Sequence, residues 1–412
     1  MKMIASLQAR AAHLGCVGAL LALGACDNGS TEKPIPGPTG GTPVAPAPEP
    51  VDLPPRPIVG LKQTVIAPFH SPWAMAFLPD GRLLVTDNET KTLSVVTQTG
   101  VISDVTGLPD RGGIYDVALS PNFTVDRTIY LTFPEPSPPG APRNGPYASD
   151  PKMFSGVLAL ATARIEATGS QFALKDFKVL WRQSPDIVSG GEWGGRIAFS
   201  PDRRYVFVTA GDRSVYYPAT ALDNTLGKII RLNLDGTVPP DNPFVNTPGA
   251  KPEIWSLGHR NPYGLVFAPD GRLWSTEHGP KGGDEFNLIT PGANYGWPSV
   301  SYGNGYDDAP IPKPVPGDGF AASAYFWTPA IAPAGMIFYS GRVFADWRGD
   351  VLLTGLVSKA LIRVRIDGDT AKEVQRFDMG GRVREIEQAR DGSLWILVDS
   401  PDGKLVKLSP VF

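Results

Sequence analysis

The sequence contains little cysteine, histidine or net charge, and each shortage excludes a class of protein. Of its 412 residues only two are cysteine and four are histidine. Both cysteines lie within the first 26 residues, so the later chain can form no internal disulfide. The histidines lack the short, regular spacing of a zinc site. A net charge of −3 provides no basic face to neutralise phosphates, so we expect no nucleic-acid partner.

Long hydrophobic runs are also scarce, and the clearest one is an export signal. Residues 11–25 form an apolar run that follows Lys2 and Arg10 and is too short to span a bilayer permanently. LGAC at 23–26 resembles a bacterial lipobox, which predicts a lipoprotein signal peptide over residues 1–26 and a membrane tether on lipidated Cys26. An ordinary signal peptide is the alternative, and both predict export to the periplasm.

Residues 27–57 form a second segment without a predicted fold. They are rich in proline and polar residues and cannot bury enough apolar surface to offset the entropy of ordering. We interpret them as an extended, disordered linker. The folded domain is therefore predicted to cover residues 58–412.

The domain shows no long helical pattern but a recurring strand-turn-strand unit. An apolar residue is followed by Pro-Asp-Gly or a variant of it, and then by a β-rich run. Six copies occur at irregular multiples of about 40 residues, which is typical of a propeller. We predict an all-β, six-bladed β-propeller of four-stranded antiparallel blades, with a two-sheet sandwich as the alternative. The closing blade is expected to pair KLVKLSPVF with a strand near 61–69. The copies lie at 77–87, 119–133, 199–212, 267–279, 344–356 and 388–400.

Polar loops are concentrated between residues 253 and 301. VFAPDGRLWST predicts a hairpin, so the polar loops on both sides lie at strand ends, where binding residues concentrate. Asp284 and Glu285 offer carboxylates, and the bend at Gly279 and Pro280 can present backbone carbonyls. Such oxygen ligands favour calcium over zinc. The alternative is that the two acidic residues only cap turns.

GHRNPYG, EHGPKGGDE and NYGWP occur in this stretch in an order and spacing that carry a family resemblance. The chain resembles the soluble dehydrogenases of aldoses, glucose and sorbosone that depend on pyrroloquinoline quinone (PQQ). The resemblance covers about residues 58–412. It implies a six-bladed propeller that binds PQQ and calcium at the mouth of its axis.

The resemblance assigns a set of residues to the cofactor. Arg382 and Arg384, in GRVREI, match a pair of arginines; being two positions apart on a strand, they point to one face and suit a tricarboxylate such as PQQ. Tyr325 and Trp327 match aromatic pocket walls, although core packing explains them equally well. The remaining matches to cofactor-binding positions are Asn261, Arg196 and Arg111, the last of which replaces a glutamine of the family.

The same resemblance assigns calcium ligands. Gly279 and Pro280 match residues whose backbone carbonyls hold the calcium bound to PQQ. Glu285 and Tyr295 match a second site formed by a carboxylate and a tyrosine carbonyl. Both ligand sets consist of oxygen, as calcium requires.

One departure from the family concerns the general base. Where the family has histidine before an aromatic residue, two small residues and arginine, this chain reads GEWGGR and has Glu192. The resemblance implies that Glu192 accepts the anomeric hydroxyl proton of an aldose while hydride passes to PQQ, which gives a lactone. A periplasmic electron acceptor would reoxidise the cofactor. The alternatives are a calcium-stabilised binding module for carbohydrate or protein, without dehydrogenase activity, and a calcium-dependent lactonase.

Overall fold

The computed structural model describes residues 57–109 and 112–412, which consist largely of β-strands. This part of the chain has one four-residue α-helix, α1 (Phe123–Asp126), and two short 3-10 helices, Tyr217–Thr220 and Ala345–Trp347. None of its helices has the length and apolar character needed to cross a membrane. The predictions for residues 1–26, for the linker up to residue 56 and for Arg111 lie outside the described residues.

Most strands are short, as expected for a chain with 46 glycines and 43 prolines that end or turn them. In chain order the strands are β1 (Gly60–Pro68), β2 (Pro72–Phe77), β3 (Leu83–Asp87), β4 (Thr92–Val96), β5 (Ile102–Thr106), β6 (Val117–Leu119), β7 (Thr128–Pro136), β8 (Ser155–Thr168), β9 (Gln171–Arg182), β10 (Ile187–Val188), β11 (Gly194–Phe199), β12 (Tyr205–Ala210), β13 (Lys228–Asn233), β14 (Ile254–Leu257), β15 (Pro262–Phe267), β16 (Leu273–Glu277), β17 (Asp284–Ile289), β18 (Tyr325–Trp327), β19 (Pro333–Phe338), β20 (Val351–Gly355), β21 (Ala360–Asp367), β22 (Thr370–Asp378), β23 (Val383–Gln388), β24 (Leu394–Val398) and β25 (Lys404–Val411).

The strands form antiparallel runs of four. Three four-stranded sheets follow the chain directly, in the orders β11-β12-β13-β14, β15-β16-β17-β18 and β19-β20-β21-β22. A fourth has the order β1-β25-β24-β23, so the first described strand completes the sheet built by the last three. This confirms the predicted pairing of the two ends of the domain.

The fifth sheet differs from the four-stranded blades that the sequence predicts. It has nine strands, because the run β2-β3-β4-β5 is joined to the run β9-β8-β7-β6, with β10 paired to β8. The joint between β5 and β9 is parallel and has only two residue pairs, Val105 with Phe172 and Thr106 with Ala173. The long β8 and β9 therefore reach the edge of the neighbouring run, which the turn pattern of the sequence could not indicate.

The first strands of the runs contact one another in a closed order. β2 packs against β6, β6 against β11, β11 against β15, β15 against β19, β19 against β23, and β23 against β2. All six predicted turn units connect the first and second strands of these runs. In the two Pro-Asp-Gly copies that match fully, Gly81 and Gly271 have φ values of +87° and +88°, which glycine adopts without strain.

Threonines near the ends of the second strands support irregularities in the first strands. The first strands shift register near their starts, for example between Pro72 and Met75 in β2 and between Gly194 and Ile197 in β11. Each shift frees backbone groups that need partners. Hydroxyl groups of the second strands bind such groups: those of Thr86 and Thr209 accept from the amides of Ala74 and Arg196, and that of Thr354 donates to the Gly335 carbonyl. The Thr132 hydroxyl likewise accepts from the amide of Asp116 just before β6, where the pairing has no register shift.

The hydrophobic core lies between neighbouring sheets. Three of its largest members, Trp274, Trp347 and Trp395, are completely buried. The Trp274 ring stacks on Phe286 at 4.7 Å, and the Trp395 ring meets Phe77 edge-on, joining the last sheet to the first run. Because the core is shared between sheets, each sheet depends on its neighbours for burial.

Candidate active site and cation site

Several predicted site residues meet at one end of the ring. Asn261 and Arg382 directly precede the first strands β15 and β23, and Glu192 lies two residues before the first strand β11. The starts of these strands are close together: the amide of Gly194 donates to the side chain of Asn261 at 2.9 Å, and His278 contacts the carbonyl of Pro333 at the start of β19 at 2.7 Å. We call this end of the ring the mouth.

Arg260 connects the parts of the mouth. Its guanidinium donates to Glu192 Oε1 at 2.7 Å, to the Gly279 carbonyl at 2.9 Å and to the Tyr306 hydroxyl at 3.1 Å. Its backbone amide donates to Glu277 Oε2 at 2.8 Å. The buried Nε has no hydrogen-bond partner among the described residues. Arg260 therefore bridges the predicted base and a predicted calcium ligand.

Glu192 lies at the mouth with 19% of its side chain exposed. One carboxylate oxygen accepts from Arg260 and the other from the Ser214 hydroxyl at 3.0 Å. Its φ of +47° lies in the left-handed region, which is strained for a non-glycine residue. Each oxygen accepts from one donor and keeps a second lone pair, with which it can accept a proton.

Asn261, which is buried, forms a pair with the half-buried His278. The Asn261 amide nitrogen is 3.1 Å from His278 Nδ1, while His278 Nε2 contacts the Pro333 carbonyl. Burial lowers the pKa of His278 to about 3, so the imidazole is neutral at physiological pH. A neutral ring that accepts at Nδ1 donates from Nε2, which matches both contacts. His278 orients Asn261 and does not act as a base in this arrangement.

Arg382 directly precedes β23 and Arg384 lies on it, and their side chains share one partner, in agreement with the predicted common face. Both contact Asp399 Oδ2, at 3.4 Å from Arg382 and 2.5 Å from Arg384, and Arg384 also donates to the Tyr263 hydroxyl at 2.7 Å. The Arg382 side chain is 45% exposed and that of Arg384 14%. One carboxylate faces two guanidinium groups, which leaves a surplus positive charge at the mouth.

Arg196 lies deeper in the ring than the other predicted cofactor residues. Its guanidinium is paired with Glu385, donates to the carbonyls of Tyr263 and Arg384, and covers the Trp73 ring at 4.3 Å. The side chain is buried, so its donors are used by the protein itself. A contact between Arg196 and a cofactor stays a prediction. The side chain of Arg384 is more exposed than that of Arg196.

Tyr325 and Trp327 lie on β18, the outer strand of its sheet. Trp327 is buried in the core shared with β20 and β21, and its Nε1 donates to Glu373 at 2.8 Å. The Tyr325 ring packs edge-on against Trp327 at 5.0 Å. These contacts favour the core-packing alternative, while a role as pocket walls stays a prediction.

Glu285 and Tyr295 line a small cavity beside Arg260. Glu277, Gly258 and Ser301 also border it. The Asn287 amide nitrogen donates to both Glu277 Oε1, at 3.0 Å, and Glu285 Oε2, at 3.1 Å. Burial, followed by the charge of Glu277, raises the pKa of Glu285 to about 8. Two carboxylates held this close favour a cation that would balance them.

Gly279 and Pro280 form a tight bend between β16 and β17. The Gly279 amide donates to Asp284 Oδ1 at 2.8 Å, and Asp284 Oδ2 accepts from the amides of Ile331 and Ala332 at 2.7 Å. Asp284 therefore caps loops, as the alternative for it proposed. The Gly279 carbonyl faces the guanidinium of Arg260, so a cation there would have to share this oxygen with Arg260.

Comparisons with known proteins place these residues in a family. The model of the family described as Glucose / Sorbosone dehydrogenase matches residues 69–407. The chain belongs to the glucose/sorbosone dehydrogenase family. It is accordingly an oxidoreductase.

Relatives of this family are similar over most of the chain. The aldose sugar dehydrogenase YliI of Escherichia coli (strain K12) is 34% identical over 351 residues, which cover 82% of this chain and 90% of the relative. The apo crystal structure of the soluble aldose sugar dehydrogenase from Escherichia coli superposes with a TM-score of 0.77 at 32% identity, over 85% of this chain and all of that one. A PQQ-bound aldose sugar dehydrogenase from Streptomyces coelicolor gives 0.66 at 27% identity, over 86% of this chain and all of that one.

Within this glucose/sorbosone dehydrogenase, the sequence analysis missed two residues that contact Glu192. Arg260 is part of GHRNP, so the motif itself was a signal for it. Ser214 belongs to a loop in which Arg213, Ser214 and Tyr216 all have positive φ. No pattern in the sequence marked that loop.

Proposed function

We propose that the protein is an aldose dehydrogenase that uses PQQ and calcium and converts the anomeric carbon to a lactone. The observation that supports this most directly is that the mouth holds both the ion pair of Arg260 with Glu192 and the arginine pair Arg382 and Arg384, which shares Asp399. In the same proposal the two runs of the nine-stranded sheet are separate blades, which makes a six-bladed propeller. The chain would be exported to the periplasm and tethered through Cys26, with an electron acceptor there.

The residues at the mouth fit a polyanionic cofactor. PQQ carries three carboxylates, and guanidinium groups bind carboxylates with charge-assisted, often bidentate hydrogen bonds. Arg382 is half exposed and held only by a 3.4 Å contact, so it is free to turn toward a ligand. The buried Nε of Arg260 is a donor without an acceptor. Arg384 and Asn261 would complete the set of groups that hold the cofactor.

The residues that would hold calcium are also suitable. Gly279 and Pro280 would supply carbonyl oxygens for calcium at the cofactor, and Glu285 with the Tyr295 carbonyl would hold a second ion. The chemistry supplied by the bound groups is acceptance of a hydride, assisted by calcium as a Lewis acid.

Glu192 would handle the proton of the substrate. The sugar hydroxyl at the anomeric carbon would donate its proton to the carboxylate, while the hydride leaves that carbon and its carbonyl bond forms. Oε2 would accept from the sugar hydroxyl through the lone pair that the Ser214 hydroxyl leaves free. Arg260 would keep Oε1 in place during the transfer, which fixes the direction of Oε2.

Titration of the apo-protein with PQQ and calcium tests the proposal, followed by dye reduction with a panel of aldoses. We expect saturable PQQ binding that depends on calcium, and aldose-dependent dye reduction. PQQ binding without oxidation of any aldose would support the binding-module alternative. Absence of PQQ binding would refute the cofactor assignment.

A further inference from the structure

A lysine beneath the mouth contacts no predicted site residue and is completely buried. Lys228 begins β13, and its ammonium nitrogen donates to the carbonyls of Pro218 and Ala219 at 2.9 Å and of Leu226 at 2.6 Å. All three acceptors belong to residues 217–227, which we call the lysine loop. The ammonium group closes this loop from inside, in the way that a bound monovalent cation would.

The charge state of Lys228 follows from the number of acceptors. Burial lowers the pKa of Lys228 to about 7, although the charges of Asp223 and Asp212 act in the opposite direction. A neutral amine has only two N–H donors, whereas an ammonium group has three. Three carbonyl oxygens within 2.9 Å therefore select the charged form.

The lysine loop supports the backbone that carries Arg260. The Ala219 carbonyl that accepts from Lys228 also accepts from the amide of Gly258 at 2.8 Å, and the Gly227 carbonyl accepts from the amide of His259 at 3.2 Å. Gly227 has a φ of +65°, and a Cβ there would come within 2.3 Å of the His259 carbonyl oxygen. The loop and the segment 258–261 are thus in direct contact through their backbones.

We propose that Lys228 is a positioning residue for the dehydrogenase reaction. Its ammonium group fixes the Ala219 carbonyl, and this carbonyl holds the amide of Gly258 in place. Two and three residues further on, Arg260 contacts Glu192 and Asn261 contacts the start of β11. The effect of Lys228 on catalysis rests on the proposed function. The structural link from Lys228 to segment 258–261 does not depend on it. Lys228 would thus influence the site through the backbone of residues 258–261, without contacting the substrate.

The test compares Lys228→Met with a matched variant, Arg363→Met. Both remove a buried cation, but Arg363 lies on β21 and pairs with Asp350, in another sheet. Amide hydrogen exchange of residues 257–261 and calcium-dependent PQQ affinity are measured in each full-length variant, with melting temperature as the control for stability. We expect exchange in Lys228→Met to rise about tenfold or more, as loss of a hydrogen bond to a charged group predicts, and PQQ affinity to fall. Arg363→Met should lower the melting temperature but leave both readouts within about twofold.

Catalysis provides a second readout. If aldose oxidation is confirmed, Lys228→Met should lower kcat more than it raises KM. The reason is that the variant disturbs the orientation of Glu192, which the chemical step needs, more than it disturbs binding of the sugar. If no aldose is oxidised, the proposed function fails while the exchange result still decides the link between Lys228 and segment 258–261. Unchanged exchange and unchanged PQQ affinity in a folded Lys228→Met protein would overturn the proposal.

Rescue by small cations guards against misfolding. Lys228→Ala leaves three carbonyls around a vacated position, so ammonium chloride should restore protection of residues 257–261, whereas tetramethylammonium chloride at equal ionic strength is too large to enter. Where Lys228→Met does not fold, Gly227→Ala perturbs the same contact from the loop side, and it should give the same local increase in exchange. Failure of both the rescue and the glycine variant to change exchange counts against the role of Lys228.

Discussion

The cavity between Glu277 and Glu285 predicts that calcium binding depends on pH. Glu285 has an ordinary pKa of 4.5, which burial and then the charge of Glu277 raise to about 8. Below that value the calcium-free carboxyl keeps its proton. Calcium binds the ionised carboxylate, so it must displace this proton. Replacing Glu285 by glutamine keeps the shape of the site and removes the proton.

The sign and size of the effect follow from linkage. Between pH 4.5 and about 8 the folded, calcium-free protein binds more protons at Glu285 than the unfolded chain does. Its free energy of unfolding therefore falls as pH rises through this interval, and the contribution is lost above pH 8. At about 1.36 kcal/mol for each pH unit, the upper limit is about 5 kcal/mol. Bound calcium stabilises the ionised Glu285 carboxylate and so offsets this loss of stability. Because less proton has to be displaced at higher pH, the stabilisation by calcium should increase with pH.

Thermal unfolding with excess calcium or with a chelator, at pH 5.5 and pH 8, measures this directly. The difference in melting temperature between calcium and chelator should be several degrees larger at pH 8. In Glu285→Gln the difference should be small at both pH values, while Glu89→Gln, an exposed carboxylate on a loop, should behave as wild type. Equal calcium shifts at the two pH values in wild type would show that Glu285 is not the ligand that titrates.

Three further outcomes are expected. Glu192→Gln should retain PQQ and calcium binding but lose about 10²–10⁴-fold in turnover, measured by dye reduction; a fully active variant would place the base elsewhere. The double change Arg382→Ala with Arg384→Ala should weaken PQQ binding in a fluorescence titration, with about 1.5–3 kcal/mol at most for each charge-assisted contact and less for the exposed Arg382; equal affinity would remove the cofactor from β23. Trp274→Ala should cost about 3–5 kcal/mol of unfolding free energy in denaturant titration, and a loss under 1 kcal/mol would mean that the gap between the sheets collapses.

The blade pattern was predictable because it depends on local chemistry. Each predicted unit combines a turn with a positive-φ glycine, or a variant of it, and an apolar run, and neighbouring residues determine both. The nine-stranded sheet was not predictable, because its parallel joint needs the lengths of β8 and β9 and their approach to β5 in space. Two pairs, such as Val105 with Phe172, leave no mark in the sequence.

The site was predicted residue by residue but not as a network. Motif matches identified Glu192, Asn261 and the arginine pair, which the structure brings to the mouth. The contact of Arg260 with Glu192 spans 68 residues of sequence, and that of Ser214 spans 22. Such contacts form only when separate parts of the chain come together in the fold. The sequence could not distinguish a pocket wall from a core for the aromatic residues on β18. Either role needs aromatic residues two positions apart, because alternate side chains of a strand share one face.

The pairing of β1 with β25 makes the folded chain nearly circular. Gly60 lies opposite Val411, so the two ends of the domain are neighbours in one sheet. A short peptide could join them, and new ends could be opened at the turn around Gly271, which lies at the far end of β15 from its start at the mouth. Such a circular permutant should keep every contact of the mouth, and the new peptide would connect β25 to β1 within the sheet β1-β25-β24-β23. The permutant would then have a different order of strands along the chain but the same positions of the strands in the ring.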